Sequence, residues 1–185
     1  MNQFRIGVVV GSLRKESHNK ALAAALAKLA PSDFTFDTLR IDDLPLYNQD
    51  DDGSQSPQVM RLKGAISAAA GVIFVTPEYN RSIPGVLKNA IDQASRPYGQ
   101  SAWGGKPAGV LGISIGQIGT AIAQQHLRTV LAYLDMPTLG QPEVFLTAKD
   151  GFFDGSGAIA NDGTRKFVQG WMDTYLAFVK SHTKA

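Results

Sequence analysis

Phe4-Arg5-Ile6-Gly7-Val8-Val9-Val10-Gly11-Ser12-Leu13-Arg14-Lys15-Glu16-Ser17-His18-Asn19 decides how the rest of the chain is read. Its first seven residues are almost continuously apolar and rich in β-branched side chains, the pattern of a strand covered on both faces in a parallel sheet. Beyond the polar stretch, Leu22, Ala25, Leu26 and Leu29 recur at three and four residues and give a helix one apolar stripe to lay on that sheet. The opening is therefore strand, polar loop, helix.

The same alternation repeats outward. Val72 to Thr76 and Ala108 to Ser114 read as buried strands, Phe34 to Ile41 as a weaker one, and Glu143 to Leu146 as a short one. Between and after them Val59, Leu62, Ile66 and Ala70 mark a second helix, Leu87, Ile91 and Ala94 a third, and Leu127, Val130, Leu131 and Leu134 a fourth. Val168, Trp171, Met172, Tyr175, Leu176 and Val179 form the clearest stripe, a C-terminal helix. Strands and helices alternating in this way predict an α/β chain, a three-layer doubly wound fold with a five-stranded parallel sheet, as one domain over residues 1–185. Connections in such folds are right-handed, and ligands sit beyond the carboxyl ends of the strands where their order reverses. The loops after the strands are thus the ones to search, whereas Asp42 to Pro57, with Asp50-Asp51-Asp52, reads as a solvated loop.

Composition narrows the function classes. The chain has 185 residues, 44% of them hydrophobic, and a formal net charge of only +2, with no run of Lys or Arg that would make a nucleic-acid surface. Cys is absent, which excludes disulfides, thiolate metal sites and cysteine nucleophiles, and suits a reducing compartment. Redox chemistry would need a bound cofactor. The apolar run Ile6 to Val10 is short of a signal peptide's core and no segment is long enough to span a bilayer, so a cytoplasmic location without membrane contact is expected.

Ser12, Arg14, Ser17 and Asn19 lie in the loop that opens the first helix, where unpaired N–H groups and the helix dipole favour a phosphate. The loop has neither the GxxxxGK[ST] of a nucleotide triphosphatase nor the GxGxxG of a dinucleotide fold, which leaves a monophosphate. A simpler reading makes Gly11 a turn and Ser17 a helix cap. After the third strand, Pro77-Glu78-Tyr79-Asn80-Arg81-Ser82-Ile83-Pro84-Gly85 has a direction fixed by two prolines. Its ordered main chain could match the edge of a flat heteroaromatic ring with Pro77 or Tyr79 over a face; alternatively the prolines shape a turn and Ser82 caps the third helix.

Together Gly11-Ser-Leu-Arg-x-x-Ser-x-Asn and Thr76-Pro-Glu-Tyr-Asn-x-Ser-x-Pro-Gly-x-Leu-Lys-Asn-Ala-Ile-Asp resemble the NADPH-dependent FMN reductase family, most closely its bacterial chromate and quinone reductases. The resemblance extends over nearly the whole chain, through Ser95-Arg96-Pro97-Tyr98 and Gly105-Lys106-Pro107, with no departure at the motif positions. It implies a flavodoxin-like strand order and noncovalent FMN. Ser12, Arg14, Ser17 and Asn19 would hold the phosphate, Pro77, Glu78, Tyr79 and Asn80 would line the isoalloxazine ring, and Ser114 and Gly116 would touch it from the next loop. It also implies NAD(P)H as electron donor, a quinone or chromate as oxidant, and a homodimer or homotetramer.

Two other classes are weighed against that reading. Gly112-Ile113-Ser114-Ile115-Gly116 satisfies the G-x-S-x-G of a hydrolase elbow, but His126 falls within a helix pattern and His182 near the chain end, so neither suits a triad with Ser114. An electron carrier on the same fold would favour a strongly acidic surface, and the charge here is balanced. With the cofactor carrying the redox step, no side chain is assigned as catalytic acid or base and no metal ligands are expected. Arg81 and Arg96 are candidates to attract chromate or the dinucleotide's phosphate, while Tyr98 and Trp103 are expected at an entrance or an oligomer interface.

Overall fold

The computed structural model describes residues 3–183. Its strands are β1 (Phe4–Val10), β2 (Phe34–Thr38), β3 (Gly71–Val75), β4 (Ala108–Ser114) and β5 (Phe145–Thr147). The helices are α1 (His18–Lys28), α2 (Pro57–Ala68), α3 (Gly85–Ala94), α4 (Ala121–Tyr133) and α5 (Asp162–His182). All strand pairs are parallel, in the order β2-β1-β3-β4-β5. That is the flavodoxin-like order, so the fold is the expected α/β, flavodoxin-like one.

Side chains alternate along each strand, and this divides the core in two. Ile6, Val8, Val10, Ile73, Val75, Leu111 and Ile113 pack with α1 and α5 on one face. Val9, Val72, Phe74, Ala108 and Val110 pack with α2, α3 and α4 on the other. Burial on both faces is why the central strands read as unbroken apolar runs rather than as alternating ones.

Boundaries differ from the expected ones where apolar residues continue without a strand. β2 stops at Thr38, yet Leu39 N still donates to Val8 O at 2.8 Å and Ile41 is buried in the second core. The fifth strand begins at Phe145 rather than Glu143, whose carboxylate instead accepts from Gln125 Nε2 on the surface. Ala70 lies just beyond α2, and one turn of 3-10 helix, Gln49–Asp51, interrupts the long polar loop. Trp103, expected at an entrance or interface, is wholly buried: its Nε1 donates to Ile91 O at 3.0 Å and its ring lies 5.6 Å from Phe74.

α5 is seated by two glycines. Trp171 and Tyr175 stack with ring centroids 5.5 Å apart, and they press on the sheet where β3 and β4 present Gly71 and Gly109. A Cβ at Gly109 would stand 2.8 Å from Tyr175 Cδ2, and one at Gly71 2.7 Å from Tyr175 Oη. The Tyr175 hydroxyl donates to Pro107 O at 3.2 Å, and burial pushes its ionisation well above the ordinary phenol range, so it stays a donor. Gly109→Ala should cost roughly 1–3 kcal/mol through overpacking. A fall in the urea midpoint is the expected observation, and an unchanged midpoint would show that α5 can shift without loss.

Candidate functional site

β2 lies on one side of β1 and β3 on the other, so the chain reverses its direction of travel across the sheet between them. A crevice opens there beyond the strand ends. Three loops border it: residues 11–17 after β1, 76–84 after β3 and 115–120 after β4. They converge closely. Gly11 N donates to Val75 O at 2.9 Å, and a Cβ at Gly11 would come within 3.1 Å of Thr76 Oγ1. A Cβ at Gly112 would lie 2.1 Å from Thr76 O and 2.3 Å from Thr120 Oγ1, so no other residue fits that position without moving backbone.

In the first loop Ser12, Ser17 and Asn19 are buried and Arg14 is exposed. Ser17 is the N-cap of α1, its hydroxyl accepting from Asn19 N and Lys20 N at 3.2 and 3.4 Å. Asn19 reaches across to β4, where Nδ2 donates to Ile113 O at 2.8 Å and Oδ1 accepts from Ile113 N at 3.1 Å. The Asn19 amide is thus largely spent on a clamp between α1 and β4, with one Nδ2 hydrogen left over. Arg14 folds back on its own loop, Nε donating to Glu16 O at 2.9 Å and Nη2 joining the same carbonyl, which leaves Nη1 open.

Neither the Ser12 hydroxyl nor the main-chain N–H of Ser12, Leu13, Arg14, Lys15, Glu16 or His18 donates to a described residue, while Ser17 closes a turn over Lys15 and Glu16. That run of open donors at the positive end of α1, beside a guanidinium, fits the terminal phosphate of FMN.

In the second loop Pro77 is buried, and the Glu78 side chain is only 6% exposed. Glu78 Oε2 accepts from Ile122 N at 3.0 Å and Ala123 N at 3.1 Å, while Oε1 meets Arg81 Nη1 at 3.0 Å. α4 has no cap from its own Thr120, and the Glu78 carboxylate serves instead. Tyr79 and Ser82 exchange both main-chain hydrogen bonds at 3.0 Å, with Asn80 at φ 51° and Arg81 at φ 63°. This is a two-residue hairpin with both central residues left-handed. Asn accepts that conformation readily; for Arg it costs on the order of 1 kcal/mol. Ser82 does not cap α3, which starts after Pro84 without a side-chain cap; its hydroxyl lies 3.0 Å from His126 Nδ1.

In the third loop Ser114 Oγ donates to Gly119 O and accepts from Gly116 N at 3.2 Å. The hydroxyl is turned into its own loop. His126 engages Ser82, and His182 Nδ1 lies 2.8 Å from Phe178 O, so neither imidazole that follows Ser114 in the chain serves it, as the triad order of that fold would need. Gly116 is exposed, its carbonyl accepting from Thr147 Oγ1 at 3.2 Å.

The structure therefore brings the expected residues to one crevice, but gives several of them work other than facing a ligand. Missing from the sequence reading are an exposed apolar rim, Leu13, Ile115 and Ile118 on the bordering loops and Ile122 at the start of α4, and the capping task of Glu78. The rim was legible in principle, since isoleucines in a glycine-rich loop have no core to enter. A hollow of about 470 Å³ between α1 and β2 begins at Ser12 and Leu13 and runs past Ala23 and Ala27 to Ile41.

Comparison with known proteins agrees with this geometry. Residues 4–150 match the model of the NADPH-dependent FMN reductase family. A 2-hydroxy-1,4-benzoquinone reductase of a Burkholderia species is 57% identical over 178 residues, covering 96% of this chain and 97% of its own. A quinone reductase of Pseudomonas putida is 48% identical over 178 residues, covering 96% and 95%. The solved structure of FerB, a flavoenzyme NAD(P)H:(acceptor) oxidoreductase from Paracoccus denitrificans, superposes with a TM-score of 0.93 at 42% identity, covering 97% and 98%. With loops, fold and relatives in agreement over nearly its whole length, the chain belongs to the NADPH-dependent FMN reductase family, as an FMN-linked NAD(P)H oxidoreductase.

Proposed function

We propose that this chain reduces small quinones with electrons from NAD(P)H, the two substrates using the same crevice in turn, and that it accepts chromate or other metal oxyanions as further oxidants. The observation that carries the proposal is the run of uncommitted N–H donors from Ser12 to Glu16, set where the strand order reverses, with exposed apolar side chains on the neighbouring loops. One end of the crevice suits a phosphate and the other a flat ring. Bound FMN supplies hydride acceptance and release; the chain's residues bind, orient and shield.

The Ser12 hydroxyl, the loop N–H groups and Arg14 Nη1 take the phosphate. Ser17 and Asn19 hold the loop in shape, with the spare Asn19 hydrogen as a further contact. The main chain of Pro77, Glu78, Tyr79 and Asn80 meets the ring edge, the Tyr79 side chain covers part of it, and Ser114 and Gly116 form the opposite wall. Leu13, Ile115, Ile118 and Ile122 exclude water around an incoming quinone. No side chain is assigned as a catalytic acid or base.

The working form is a homodimer or homotetramer. Support comes from a groove of about 820 Å³ between α3 and α4, bordered by Tyr98 and Tyr133 at 86% and 83% exposure. Aromatic side chains left in water beside such a groove suit burial against a second copy. The expected location is the cytoplasm, consistent with a chain that lacks Cys and has no described helix long and apolar enough to cross a membrane.

An absorbance spectrum tests the reading directly. Purified protein should show flavin bands that bleach on anaerobic addition of NADPH or NADH and return with a quinone; a protein that binds no added FMN would defeat it. Two variants separate the roles within the first loop. Arg14→Ala removes a charge-assisted contact worth about 1.5–3 kcal/mol, so the Kd for FMN should rise at least tenfold while the apoprotein melts as before. Asn19→Ala strips both partners from Ile113 and should lower apoprotein stability by about 2 kcal/mol. If Asn19→Ala weakened FMN binding at unchanged apoprotein stability, the clamp assignment would be wrong.

A further inference from the structure

Arg81 occupies a backbone position that its side chain disfavours. It is the second central residue of the Tyr79–Ser82 hairpin at φ 63°, where Gly is the usual occupant. Strained residues of this kind persist where the side chain is needed. The ion pair with Glu78 does not supply that need, because the Glu78 carboxylate already accepts two N–H groups at the positive end of α4. The Arg81 side chain is 69% exposed, so water screens its side of the pair although Glu78 is buried.

The consequence of the pair is geometric. Glu78, itself buried and doubly tied, holds one corner of the guanidinium through Nη1. Arg81 Nη2 and Nε donate to no described residue, so two edges of a planar, permanently charged fork stand open at the hairpin tip. The neighbouring cations are differently engaged. Arg14 is folded onto Glu16 O in the phosphate loop, and Arg96 lies over the Tyr47 ring at 5.8 Å, in the groove between α3 and α4.

We infer that Arg81 is a specificity residue for the dinucleotide donor, binding a phosphate of NAD(P)H as it enters over the crevice. The inference rests on the placement of the crevice proposed above. A quinone carries no such anion, and the phosphate of FMN is accounted for at the first loop. Two groups of the dinucleotide share the chemistry Arg81 recognises, the pyrophosphate common to both donors and the 2′-phosphate of NADPH alone.

The test is Arg81→Gly in the FMN-loaded protein. Glycine removes the fork yet suits the left-handed backbone, so the variant should fold and melt at least as well as the parent. The KM for NADPH should rise about tenfold, with kcat near the parent value and the KM for a neutral quinone and the FMN content unchanged. A rise for NADPH alone assigns the 2′-phosphate, and a similar rise for NADH assigns the pyrophosphate; either supports the inference. Arg81→Lys, a point charge without the fork, should restore part of the loss. Unchanged dinucleotide KM values would overturn it, as would a drop in kcat with every substrate. A parent that takes up no FMN would overturn the crevice assignment as well, and its absorbance alone would reveal that before any variant is compared.

Discussion

The site depends on how closely three loops can approach one another at the sheet's carboxyl edge. Two devices set that approach. Gly112 leaves room for Thr76 O and Thr120 Oγ1 where any Cβ would collide, and the Asn19 amide grips both main-chain groups of Ile113 on the same strand. The clamp fixes where α1 starts relative to β4, and hence where the open N–H groups point. A shift there would move all of those N–H groups together, because they belong to one continuous stretch of backbone.

Glu78 completes the frame on the other side. Its carboxylate caps α4 and steadies Arg81 from the loop after β3. Side chains are thus mainly spent on one another, and main-chain donors are left for the ligand. This suits a cofactor whose phosphate and ring edge are both read well by backbone groups, which cannot drift among rotamers as long side chains do.

That division explains what the sequence could and could not reveal. Strands such as Phe4–Val10 and helices such as Asp162–His182 were legible because burial on both faces, or along one stripe, leaves a period in the residues themselves. The two motifs fall on loops at the carboxyl edge of the sheet, after β1 and after β3. The tasks within them were hidden: Asn19 binds backbone 94 residues away, and backbone carries no signature. The Tyr79–Ser82 hairpin lacks the glycine that marks such turns, so Asn80-Arg81 passed as ordinary loop. Trp103 sits among Gly and Ser residues that suggest a surface, and only its hydrogen bond to Ile91 O shows that it enters the core.

The crevice is polarised in a way that bears on selectivity. The loop after β1 offers many main-chain donors and one charge, whereas Leu13, Ile115, Ile118 and Ile122 are exposed apolar side chains and Arg81 presents an open fork at the hairpin tip. An apolar rim discriminates little among flat oxidants, since exchanging one methylene contact for another changes binding by only about 1–3 kcal/mol. A fixed guanidinium discriminates strongly between partners with and without an anion. On the proposed placement of the crevice, the chain would be selective toward its electron donor and permissive toward its oxidant, a property set by the chemistry of the rim rather than by any proton-transferring side chain.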